Sequence, residues 1–129
     1  MPQVKIYGLK TTLSPSWEEL SDTIHRWVGE ALKFPPDKRF RRFIGMDKED
    51  FYFPDSRSDN YLIIELLMIS GRSVETKKKL IHLLFGEISE QLRISTTDIE
   101  ICILESPAYH WSFRGMTGDE APLSYPVEV

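Results

Sequence analysis

The stretch Tyr61-Leu62-Ile63-Ile64-Glu65-Leu66-Leu67-Met68-Ile69 is apolar except at Glu65. It is far shorter than a membrane helix and reads as the central strand of a sheet, buried on both faces. Gly71 makes the turn that follows, and Ser73 is placed to cap a helix whose apolar side is Leu80, Ile81, Leu84, Ile88 and Leu92. Ile99–Leu104 is the next strand, and the single cysteine, Cys102, is expected to be a small buried filler within it.

Upstream the same plan occurs. Pro2-Gln3-Val4-Lys5-Ile6-Tyr7 is a short strand ending near Gly8. Ser14-Pro15-Ser16 then opens a helix, with Ser16 and Glu19 spaced as a capping box. Leu20, Ile24, Trp27, Val28, Ala31 and Leu32 give that helix one apolar face, and Pro35-Pro36 ends it because neither proline can donate a helix hydrogen bond. Extended structure resumes over Arg39–Ile44. Phe51-Tyr52-Phe53-Pro54 reads as a short edge strand or arm before the polar loop Asp55–Asn60. The similar helix exits, Leu32–Asp37 and Leu92–Asp98, point to a duplicated strand–helix–strand unit.

Two such units predict an α+β fold: duplicated β-α-β units forming one four-stranded mixed sheet with two helices on one face. The other face is then left bare, and oligomerisation is the expected remedy. Residues 105–129 carry Tyr109, Trp111, Phe113 and Tyr125 without a helical period. This tail either wraps a neighbouring subunit as an arm or folds back on its own.

At 129 residues, 41% hydrophobic and 28% charged, the chain is expected to form one domain, residues 1–129. Its net charge of −4 gives no electrostatic case for nucleic acid or an anionic membrane. The cluster Lys38, Arg39, Arg41 and Arg42 sits on a short extended segment and projects to both faces, unlike a nucleic-acid patch. A lone cysteine fits a reducing compartment, and the start of the chain lacks the basic and apolar regions of a signal peptide, so a cytoplasmic protein is expected.

Chemistry centres on the residue after the initiator methionine. Methionine is usually trimmed before proline, which leaves Pro2 as a free secondary amine. An amino terminus has a reference pKa of roughly 7.7–8.0, and burial lowers it by disfavouring the cation, so such a group can act as a base near neutral pH. Arg72, at the turn into the second helix, can grip a carboxylate through its planar fork, aided by the N–H groups of the helix start. His25, His82 and His110 share no metal-ligand spacing with each other or with Cys102, so no metal site is expected. Neither a Gly-x-Ser-x-Gly elbow nor a glycine-rich phosphate loop occurs.

Taken together, Pro2, His25, Pro35-Pro36-Asp37-Lys38-Arg39-Phe40, Ile69-Ser70-Gly71-Arg72-Ser73-Val74-Glu75-Thr76-Lys77 and Trp111-Ser112-Phe113 resemble the tautomerase superfamily. Within it they are most similar to the longer single-chain members typified by malonate semialdehyde decarboxylase. The resemblance spans residues 2 to about 118, in matching order and spacing. It implies a homotrimer with sites near subunit boundaries and an amino-terminal proline that moves protons without a cofactor. Residue by residue, it implies Pro2 as the catalytic amine, Arg72 as the carboxylate binder and Trp111 with Phe113 as an apolar wall. His25 matches a first-helix histidine of several relatives.

Two departures bear on the reaction. Lys38 stands where decarboxylase-like members have an Asp, with Asp37 one place earlier, and Ser70 and Gly71 precede Arg72 where the decarboxylase has a second arginine. A Lys38 ammonium beside Pro2 favours the neutral amine, a base, whereas Asp37 in that place would keep the proline an acid. The sequence therefore points to a tautomerase acting on a small keto or enol carboxylate. Decarboxylation or hydration of a three-carbon acid, and a non-catalytic trimeric ligand-binding protein, are the alternatives.

Overall fold

The computed structural model describes residues 2–123 and 125–129. Strand β1 (Gln3–Leu9) leads into a helical turn, α1 (Lys10–Leu13), a 3-10 turn (Ser14–Ser16) and the helix α2 (Trp17–Leu32). Strand β2 (Arg41–Met46) follows, then β3 (Leu62–Ile69), helix α3 (Val74–Leu92) and β4 (Ile99–Ser106). The strand order is β2-β1-β3-β4: β1 pairs parallel with β2, β3 parallel with β4, and the two units meet antiparallel through β1 and β3. This is the four-stranded mixed sheet expected from the duplicated pattern.

Adding 60 to a residue number superimposes one unit on the other. Leu20, Ile24, Val28 and Leu32 become Leu80, Leu84, Ile88 and Leu92, and Lys33-Phe34 become Arg93-Ile94. Lys33 and Arg93 both turn left-handed, at φ 55° and 59°, to end their helices. Phe34 and Ile94 both follow into the core. The helix thus stops at Lys33, before the prolines have to break it.

One core lies between the helices and a single face of the sheet. Val4 and Ile6, Leu62, Ile64, Leu66 and Met68, and the buried leucines and isoleucines of both helices belong to it. Alternation along the strands sends the other residues to the opposite face. Ile63, Glu65 and Leu67 are only half-buried there, so β3 is fully covered on one face alone. Cys102 is exposed, not buried, because it shares that outer face with Glu100 and Leu104. Phe51-Tyr52-Phe53 forms no strand; Phe51 packs with Leu9 and Tyr61, with Met46, Phe53 and Ile63 around them, and covers one end of the outer face.

The capping box at Ser16 is also absent: Ser16 makes no side-chain cap bond, because helical structure has already begun at Lys10. Pro15 lacks an N–H, and the α-helical ladder gives way to a 3-10 turn around it. Ser73 does cap α3, its hydroxyl accepting from the Thr76 N–H at 3.1 Å.

After β4 the chain makes a small hairpin, β5 (Ser112–Phe113) and β6 (Met116–Thr117), and then lies on its own subunit. Tyr125 enters the main core, its ring edge-on to Phe34 at 4.7 Å between centroids, and Leu123 and Val127 pack beside it. The Val129 carbonyl oxygen accepts from the hydroxyls of Ser73 at 3.1 Å and Thr76 at 2.8 Å.

Candidate active site

The sheet topology brings the strand ends next to Pro2, Lys38 and Arg72 to one end of the sheet. Gln3 pairs with Leu67, so the start of β1 lies beside the end of β3, from which Ser70 to Arg72 continue. Val4 pairs with Arg41 at the start of β2, and Ile69 pairs with Ser106 at the end of β4. The Val4 N–H donates to the Phe40 carbonyl at 2.8 Å and fixes the 38–41 segment against the strand that carries Pro2.

Pro2 is buried. It lines a small cavity of about 10 Å³ with His25, Lys38, Phe40 and Arg41, room for roughly one water molecule. His25 Nε2 donates to the Pro36 carbonyl at 2.8 Å, which ties α2 to the segment after it. Arg41 Nε donates to the Ser21 hydroxyl at 2.7 Å, and its Nη1 is buried without a partner among the described residues. Burial pushes the Arg41 guanidinium below its ordinary value, and the charge of Arg39 adds to that, against a smaller opposing effect of Asp22.

Lys38 and Phe40 also line a second, larger cavity of about 130 Å³, closed by Phe113, Arg114, Leu123 and Tyr125. The two spaces share a wall. Sequence-predicted Pro2, His25 and Lys38 therefore meet in the first, and Lys38 and Phe113 in the second.

The remaining candidates lie outside both. Asp37 is exposed, one residue beyond the lining lysine, and Ser70 is exposed with its N–H on the Ser106 carbonyl. Trp111 is half-buried, its indole Nε1 without a partner among the described residues, and it lines neither cavity. Arg72 is 4% exposed. Its Nη1 donates to the Ile69 carbonyl at 3.2 Å, while Nε and Nη2 have no partner among the described residues. Burial pushes this guanidinium below its ordinary value, partly offset by Glu105. The tail meets the neighbours of Arg72 in sequence: Val127 lies against Gly71 and Val129 bonds to Ser73 and Thr76.

Arg41, Arg114 and Tyr125 were not singled out by sequence reasoning as site residues. For Arg41 the signal lay in strand alternation, which sends it with Phe43 to the helix-covered face beside Ser21. Arg114 had only the Arg-Gly pair between two short segments, which marks a turn and says nothing of a cavity.

The architecture is thus a mixed four-stranded sheet built from two β-α-β units, with a buried proline just before its first strand. The sequence profile of the family described as tautomerase enzymes matches residues 38–114, more than half of the chain, and the chain belongs to that family. Solved structures share the fold. Malonate semialdehyde decarboxylase superimposes with a TM-score of 0.77 at 21% identity, over 88% of this chain and 92% of that one. Native fused 4-OT gives 0.81 at 15% identity, over 91% and 96%. N1, a member of the cis-3-chloroacrylic acid dehalogenase family, gives 0.78 at 14%, over 89% and 82%.

Proposed function

We propose that the protein is a cofactor-independent tautomerase in which Pro2, freed of Met1, moves a proton between oxygen and carbon of a small keto or enol carboxylate. The observation that carries this reading is the company Pro2 keeps: a buried proline lining a cavity with His25, Lys38 and Arg41 and, among the described residues, no acidic side chain. Two nearby cations disfavour a third positive charge, so the ring nitrogen rests neutral and acts as a base. It takes the enol hydroxyl proton as the electron pair moves to carbon. The resulting prolinium returns that proton to the β-carbon, and enol becomes ketone with no atom gained or lost.

Lys38 stabilises the oxyanion that develops between the two transfers. Phe113 and Phe40 keep water from the reacting carbon. Arg72 can serve as a carboxylate ligand through its two unfilled donors once Val127 and Val129 move aside, and Trp111 would stand behind Phe113 as the outer part of the apolar wall. The family resemblance and the half-open sheet face support a homotrimer, in which a neighbouring subunit completes the site.

Decarboxylation or hydration on this scaffold would need an acid beside Pro2, and Asp37 lies outside the cavity. The test is conversion of phenylenolpyruvate, a simple aryl enol acid, followed by ultraviolet absorbance. Pro2→Ala is expected to abolish catalysed ketonisation while the far-ultraviolet circular dichroism is unchanged. Full activity in that variant would sink the proposal. Release of carbon dioxide from malonate semialdehyde, with no enol turnover, would favour the lyase reading instead.

A further inference from the structure

The larger cavity is lined by apolar and cationic side chains together. Phe40, Phe113, Leu123 and Tyr125 supply the apolar surface, and Lys38 and Arg114 the charge. Among the described residues neither cation forms an ion pair with a carboxylate, although other lysines and arginines of the chain do.

Arg114 is held in place at some cost. It is the first of the two residues joining β5 to β6, where Ser112 pairs with Thr117 and Phe113 with Met116. Both loop residues have positive φ, 54° at Arg114 and 76° at Gly115. A two-residue hairpin demands that geometry, and Asn, Asp or Gly normally fills the first place. A left-handed arginine is strained, and such outliers gather where a side chain must be aimed. Here the guanidinium is aimed by two contacts. It lies 5.1 Å from the centre of the Phe113 ring, and its Nη2 donates to the Pro122 carbonyl at 3.0 Å. One N–H is thereby used; the other four remain for an anion.

We propose that Arg114 is the specificity anchor of this site, gripping with Lys38 the carboxylate of a keto or enol acid whose aryl or similarly bulky apolar group fills the cavity. A space near 130 Å³ is about that of a benzene-sized group. The assignment rests on the reading of Pro2 as the reacting base, because the cavity meets Pro2 only through the wall formed by Lys38 and Phe40. It makes Arg114, not the buried Arg72, the arginine that selects the substrate.

Binding of the unreactive acid 3-phenylpropanoate to the full chain, measured by calorimetry, tests this without requiring turnover. Arg114→Met keeps a long side chain at the strained position and is expected to weaken binding about tenfold or more, with Arg114→Lys recovering part of the loss. Propanoate should bind far more weakly than 3-phenylpropanoate, and binding of the neutral 3-phenylpropanamide should not respond to Arg114→Met. For turnover of phenylenolpyruvate, Arg114→Met should raise KM by the same factor with kcat little changed. A wild-type protein that binds the acid through Arg114 but turns over no enol acid overturns the reading of Pro2 and upholds the anchor. Unchanged binding by a folded Arg114→Met, or no binding by the wild type, overturns the anchor; with enol turnover intact, the reading of Pro2 survives.

Discussion

Lys38 touches the Pro2 cavity and its neighbour Asp37 does not, and the proposed base chemistry turns on that single-residue difference. An ammonium near the proline nitrogen opposes its protonation, whereas a carboxylate would favour it. Lys38→Ala is therefore expected to raise the Pro2 pKa and move the acidic limb of the pH–rate profile to higher pH. An unmoved limb would remove Lys38 from the reacting centre. Arg72 is a different kind of cation. Two of its nitrogens are unpartnered among the described residues, and the tail contacts Gly71 on one side of it in sequence and Ser73 on the other. Gly71 itself is at φ 144°, and a Cβ there would stand 2.9 Å from Val127 Cγ1. Gly71→Ala should thus loosen the tail from Arg72, read out as faster proteolysis of residues 125–129; unchanged cleavage would show that the tail is held elsewhere.

At the level of elements, α2 and α3 are equivalent halves of one core, joined through Leu20, Ile24 and Val28 on one and Leu80, Leu84 and Ile88 on the other. Leu84→Ala leaves a cavity in a fully buried site and should lower stability by about 2–5 kcal/mol in urea titration. A loss below about 1 kcal/mol would mean that the two helices close the gap. The helices and strands were legible because their apolar periods of 3.6 and 2 are local. Ser73 could be recognised as a cap for the same reason. Ser16 misled, since its capping spacing is equally local but Pro15 only interrupts a helical run begun at Lys10. Cys102 misled because the run Ile99–Leu104 looks apolar throughout, although Glu100 already marks its face as outward. Glu65 marks the outer face of β3 in the same way. Pro2 was legible as a site candidate from its place behind Met1, His25 and Phe113 through the family resemblance, and Lys38 as a departure from it. The cavity's far wall was not, because Arg114 and Tyr125 reach it through the return of the tail, a long-range packing event with no local periodicity.

Over the whole molecule, the outer sheet face is mixed in character. Arg42, Lys5, Glu65 and Cys102 run across it in register, with Ile44, Tyr7, Ile63 and Leu67 beside them and Leu104 exposed at its edge. Light scattering should give three times the 15.0 kDa chain mass, and Leu67→Asp should dissociate the assembly; a wild-type mass of one chain would contradict the trimer. Tyr61 closes one end of this face. Burial, then a hydrogen bond and the charge of Glu100, push its hydroxyl up to about 12, against a small lowering by Arg57. A pKa raised in the folded state stabilises fully below the unfolded value of 10.0, so this contribution fades as pH rises from there towards 12. Urea melts should lose stability over that range, and Tyr61→Phe should flatten the loss; an unaltered slope would assign it to other groups. The central claim, that Pro2 is a free and neutral amine at working pH, is tested most directly by following its ¹⁵N resonance through a pH titration of the intact protein. The account predicts a titrating amine with a pKa below the ordinary amino-terminal value of about 7.7. A non-titrating amide signal, or a pKa well above that value, would contradict it.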